Sequence, residues 1–227
     1  MMNAMMKKIL FSLSLFVLVI FSSGICFAAQ FCNYLGCVEF PGGISSFADA
    51  VVSYTPGSGG LTTGFMDPQK AIGAPNQLNS GPIEYVSLGS GGSLILRFTD
   101  NSLTGSGTSA DDLWIFEVGP DVESTFVKIS KDGFTWFDIG LISGSTRGID
   151  IDAYGFTTTD FFSYVWLTDD PNQGATTGDS VGADIDAIGA ISTAPPVTQV
   201  PEPTTMLLLG FGLIGLAGYG RRKFFKK

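Results

Sequence analysis

Between Ala50 and Ser192 the apolar residues come in short runs, each bounded by glycine, serine, asparagine or aspartate. The eight runs are AVVSY (50–54), EYVSL (84–88), SLILRF (93–98), LWIFEV (113–118), TFVKIS (125–130), FTWFDIG (134–140), SYVWLTD (163–169) and DIDAIGAIS (184–192). They are rich in β-branched and aromatic residues, which suit a pleated, half-buried surface. None sustains an apolar spacing of 3.6 residues, so helices are expected to be few and short. Strands of this number, joined by long Gly-rich connections, fit two packed antiparallel sheets. The expected fold class is all-β, a jelly-roll-like β-sandwich over residues 47–193.

The clearest local pattern is TFVKISKDGFTWFDIG. Phe126, Lys128 and Ser130 alternate with Val127, Ile129 and Lys131, the period of two that gives a strand one wet and one dry face. Asp132 and Gly133 then offer the positive-φ positions of a tight hairpin turn. The chain is expected to return with Phe134, Trp136 and Asp138 on one face and Thr135, Phe137 and Ile139 on the other.

Both ends of the chain read as addresses rather than as parts of the fold. Lys7 and Lys8 precede the apolar stretch Ile9–Phe21, and Cys26 and Ala28 are the small residues of a cleavage site. Residues 1–28 are therefore expected to be a secretory signal peptide. At the other end, ISTAPPVTQ leads to Pro201, Glu202 and Pro203, then to the uncharged span 204–220 and the basic run RRKFFKK. A helix over 204–220 reaches about 25 Å, at the short end of what crosses a bilayer. The basic end places the C-terminus in the cytoplasm and the sandwich outside.

Removing the ends changes the charge. From Ala29 to Val200 the cations are Lys70, Arg97, Lys128, Lys131 and Arg147, against 20 of the chain's 21 acids, a net charge of −15. Nucleic acid is not an expected partner, because phosphate binding needs Lys and Arg. The absence of histidine removes His-based triads and the usual neutral-pH general base. Carboxylate-pair hydrolysis stays chemically open, but the acids lie in loops and beside turns and no pair stands out, so no catalytic residue is assigned. Cys32 and Cys37, in FCNYLGC, lack further soft ligands and the C-x-x-C spacing, and in an exported chain are expected to form a local disulfide. They lie in a segment, 29–46, ahead of the sandwich.

The blocks FADAVVSYTPGSG, DPQKAIGAPN, YVSLGSGGSLILRFTDN, LWIFEVG, ISKDGFTWFDIG and GADIDAIGAI occur in that order. Together they resemble the exported surface domain found ahead of PEP-CTERM tails, and SKDGFTW is similar to a piece of discoidin-like domains. The resemblance implies a galactose-binding-like sandwich. Such domains often carry a structural calcium, for which Asp67, Asn76, Asp184 and Asp186 are the candidate donors, with Asp111, Asp112 and Asp179 behind them. Trp114, Trp136 and Trp166 fall inside strands and are expected in the core.

The tail, 201–227 after a proline-rich linker, 194–200, resembles the PEP-CTERM sorting signal through Pro201, Glu202, Pro203, Arg221 and Arg222. That resemblance implies an exosortase as membrane partner and export by a Gram-negative bacterium, with an inner-membrane intermediate before the cell surface or matrix. The expectation is a non-enzymatic structural or adhesive protein. The alternative is a calcium-dependent module that binds exopolysaccharide.

Overall fold

The computed structural model describes residues 28–33, 35–118, 123–143, 147–197 and 211. Apart from Ala28, the expected signal peptide lies outside the described residues, as do Pro201, Glu202, Pro203, Arg221 and Arg222. Of the expected transmembrane helix only Phe211 is described, and it is helical. Among the described residues no helix is long and apolar enough to cross a membrane. The chain divides into two units, 1–196 and 197–227, and the strands described below lie in the first.

In chain order the strands are β1 (Ala29–Asn33), β2 (Gly36–Phe40), β3 (Ala50–Thr55), β4 (Val86–Ser87), β5 (Ser93–Arg97), β6 (Ser102–Leu103) and β7 (Leu113–Glu117). They continue with β8 (Ser124–Ser130), β9 (Trp136–Ser143), β10 (Arg147–Ile149), β11 (Tyr164–Asp169), β12 (Asp184–Ala190) and β13 (Thr193–Ala194). Among the described residues of the first unit, helix is limited to short 3-10 turns. Each of the eight sequence runs holds a strand. The short β1, β2, β6, β10 and β13 were not expected, since few residues with little apolar content leave no periodic signal.

Two antiparallel sheets dominate, one in the order β3-β5-β11-β8-β9 and the other in the order β10-β7-β12-β4. Their facing sides share one apolar core. Leu94 and Leu96, Val127 and Ile129, and Val165 and Leu167 come from the first sheet; Leu113, Ile115, Ile185 and Ile188 come from the second. The all-β expectation is met, and the sheets are sandwich-like.

The β8–β9 hairpin forms, but its turn differs from the expected tight one. Ser130 pairs with Trp136, so residues 131–135 make a five-residue loop. Asp132 Oδ1 accepts the amides of Phe134 and Thr135, each at 2.8 Å, and Ser130 Oγ accepts that of Gly133 at 2.9 Å. These side-chain acceptors satisfy three loop amides that a two-residue turn would not have needed to serve. Gly133 takes a positive φ, 80°. Phe134 and Thr135 thus leave the strand, and Phe134, 90 % exposed, stands at the loop tip. A bulge between Val127 and Lys128 completes the change of register.

The segment 29–46 packs on the sandwich. Its β1–β2 hairpin carries the disulfide Cys32–Cys37 directly across the two strands. Phe31 and Phe40 meet Phe47, and Phe40 and Phe47 reach Phe116 on β7, with ring centroids 4.7 to 6.2 Å apart. This cluster covers the outer side of β7 and β12 and includes Trp114, Ala187 and Ile191. A Cβ on Gly189 would lie 2.5 Å from Phe40 Cε1, so β12 must present bare backbone where the rings approach. With core on one side and rings on the other, every residue of β12 is buried.

Phe40→Ala is expected to destabilise the protein by about 3–5 kcal/mol, because it leaves a cavity between the hairpin and β12. Chemical denaturation should show a lower midpoint; an unchanged midpoint would mean that the hairpin does not brace the sheet.

Candidate functional site

The core-facing residues of the five-stranded sheet leave Ile95, Arg97, Lys128, Tyr164 and Trp166 on its opposite face. Trp166 pairs across strands with Lys128, and Tyr164 with Arg97. Lys128 Nζ lies 5.6 Å from the Trp166 ring centre, and the Arg97 guanidinium 5.3 Å from that of Tyr164. Trp136 joins edge-on, 5.2 Å from Trp166 and 6.5 Å from Tyr164. A Cβ on Gly133 would sit 3.3 Å from the Tyr164 ring, so the hairpin loop folds closely over this row. Trp136 and Trp166 are half-buried on an outer face, not enclosed in the core as expected, because alternation places them opposite Val127, Ile129 and Val165. Trp114 is half-buried against the ring cluster under the N-terminal hairpin. A row of rings with two cations over them can stack on flat apolar faces and attract anionic groups.

The carboxylates gather elsewhere. On β12, Asp184 accepts hydrogen bonds from Ser87 Oγ and, at 3.2 Å, from Ser180 Oγ. Burial pushes its carboxyl up to about 7, aided by the nearby charges of Glu117 and Asp169. Asp186 is fully buried and accepts the amides of Asn76 and Gln77. Burial raises its carboxyl to about 6, and its two amide bonds lower it only in part.

Of the four expected calcium donors, the structure therefore brings Asn76 and Asp186 together, through the Asn76 main chain. Those amides present N–H donors to the carboxylate, where a cation would need oxygens. Asp184 is held by two serine hydroxyls. Asp67 instead caps the 3-10 turn Pro68–Ala71, accepting the Gln69 amide at 3.0 Å. Among the described residues, the carboxylates that converge are Asp112, Asp150 and Asp152, with one oxygen of each within 4.8 Å of the others. Asp112 stood only among the secondary candidates. Asp150 and Asp152 were missed because nothing near them in sequence points to Asp112; the signal was the D-x-D of GIDIDAYG.

The buried pair on β12 makes stability depend on pH. Asp184 and Asp186 hold their protons in the folded protein to about pH 7 and 6, well above the value for an exposed aspartate. Their contribution is thus complete near pH 4 and declines as pH rises through 6 and 7. The melting temperature is expected to fall between pH 5 and pH 8, and Asp184→Asn, which stays neutral, should flatten that fall. An equally steep fall in the variant would remove Asp184 as its source.

No curated protein matches the chain. Residues 199–223 match the PEP-CTERM protein-sorting motif, a signal that implies export and exosortase-dependent sorting.

Proposed function

We propose that this chain is a non-enzymatic protein of the bacterial cell surface or extracellular matrix with a structural or adhesive role. The observation that carries the reading is the sorting motif at 199–223, which also supports an exosortase as processing partner. A single-pass helix over 204–220 would hold the inner-membrane intermediate, with the C-terminus in the cytoplasm. The two antiparallel sheets of five and four strands around one core support a galactose-binding-like jelly roll. The cross-strand disulfide suits an oxidising destination. Intact-mass measurement of the protein recovered from wild-type cells tests the sorting. A mature form ending near Pro203 is expected, and an intact RRKFFKK end would leave a permanent anchor in place of a processed signal.

A second reading, binding to exopolysaccharide, is supported by the row of Trp136, Trp166 and Tyr164 with Lys128 and Arg97 over it. Sugar rings stack on such surfaces, and Lys128 and Arg97 could pair locally with the carboxylate of a uronate residue. Trp136→Ala with Trp166→Ala is expected to weaken binding to an acidic polysaccharide by at least about tenfold, since each lost stacking contact is worth roughly 1 kcal/mol or more. Affinity electrophoresis reads this directly. Equal retardation of variant and wild type would exclude this face as the binding site.

A further inference from the structure

Asp112, Asp150 and Asp152 come from three places that the second sheet joins. Asp112 immediately precedes β7, Asp150 directly follows β10, and Asp152 opens the next 3-10 turn. The pairing of β7 with β10 sets Ile149 opposite Leu113, and the Asp112 amide donates to the Ile149 carbonyl at 2.8 Å. Residues about 40 positions apart are thereby held at one end of the sheet.

Each carboxylate is fixed by main-chain amides. Asp112 Oδ2 accepts the Ile151 amide at 3.0 Å. Asp150 Oδ1 accepts that of Ala153 at 3.3 Å. Asp152 Oδ2 takes the amides of Ser106 and Gly107 at 2.9 and 3.0 Å, and the Ser106 hydroxyl at 3.3 Å. The glycine loop 105–107 is wrapped so closely that a Cβ on Gly105 would lie 2.8 Å from Asp152 Oδ1. In each group the main-chain amides engage one oxygen: Oδ2 of Asp112 and Asp152, and Oδ1 of Asp150.

The other oxygen of Asp112 is the informative one. Asp112 has no solvent exposure, and its Oδ1 is a buried atom without a hydrogen-bond partner. A buried carboxylate oxygen with no donor is costly unless something else compensates it. Lysine and arginine do not: among the described residues the ion pairs are Lys128–Asp138 and Lys131–Asp160, both elsewhere. Three carboxylates this close also repel one another, which adds to the demand for a positive charge.

We propose that Asp112, Asp150 and Asp152 bind a calcium ion, with Asp112 Oδ1 as the buried ligand. Calcium accepts six to eight oxygens at about 2.3–2.6 Å, so two ligands of one shell can lie up to roughly 5 Å apart. The three carboxylate oxygens, within 4.8 Å of one another, fall inside that limit. Magnesium demands near-ideal octahedral geometry and holds its waters more firmly, so an all-protein carboxylate set suits it less well. The ion would tie the end of β10 and the loop at 105–107 to the start of β7. This site is separate from the ring face of the other sheet and stands or falls independently of polysaccharide binding.

Calorimetric titration of the full chain with calcium chloride tests the site, and terbium luminescence excited through tryptophan gives a second reading of it. Saturable calcium binding at micromolar to millimolar concentration is expected, with displacement of terbium and a higher melting temperature than in chelator. Magnesium should be much weaker. Because Asp112 is fully buried, the partly exposed pair carries the mutational test. Asp150→Asn and Asp152→Asn should each weaken calcium binding by about tenfold or more, while Asp67→Asn leaves it unchanged. No saturable binding at millimolar calcium would overturn the proposal. So would binding that survives in the double variant, or that is lost in Asp186→Asn alone.

Discussion

Strand β12 sits in the middle of the four-stranded sheet with apolar matter on both sides, and the rest of the unit is arranged to keep it there. Ile185 and Ile188 point into the core shared with Leu96 and Val165 of the opposite sheet. Ala187 and the bare backbone of Gly189 take the rings of Phe40, Phe47 and Phe116. Burial on this scale stabilises by roughly 25 cal/mol for each Å² of apolar surface removed from water. The same burial encloses Asp184 and Asp186, whose charge must then be suppressed by protonation or offset by hydrogen bonds. The serine hydroxyls at Asp184 and the paired amides at Asp186 are the local answer.

Charge elsewhere follows a simple division. The sandwich holds few cations, and two of them, Lys128 and Lys131, already pair with Asp138 and Asp160. Arg97, Lys128 and Lys131 lie over aromatic rings, and Lys70 donates to the carbonyls of Gly64 and Ile83. Acids therefore far outnumber the cations available to pair with them. The imbalance leaves the span Ala29–Val200 with a strongly negative net charge, a field that attracts cations and repels anions. The half-buried ring row lies on the face where Arg97 and Lys128 sit, and the carboxylate cluster lies on the other sheet. Two surfaces of opposite character are thus built on one scaffold.

How much of this was legible in the sequence depended on range. Eight strands were readable because alternation and turn residues act over a few positions. The cysteine pair was readable because its partners are adjacent on one hairpin. The β8–β9 turn was misread because Asp-Gly is compatible with several turns, and the choice fell to the amides that Asp132 and Ser130 could serve. Trp136 and Trp166 were assigned to the core because apolar neighbours in sequence do not reveal which face of a strand is covered. The calcium donors named from the resemblance were drawn from loops expected to converge. Asp186 does meet the early loop, but by its amides, while Asp67 is spent on a cap.

By itself the sequence determined the fold class, the cross-strand disulfide and the sorting address at 199–223, all of which rest on composition or on contiguous residues. Tertiary structure alone decided which strands are neighbours, that the N-terminal hairpin closes the outer side of β12, and that Asp112 meets Asp150 and Asp152. The physical reason is that sheet pairing joins residues dozens of positions apart, and which pairing wins depends on how much apolar surface the whole arrangement buries. No local period carries that information.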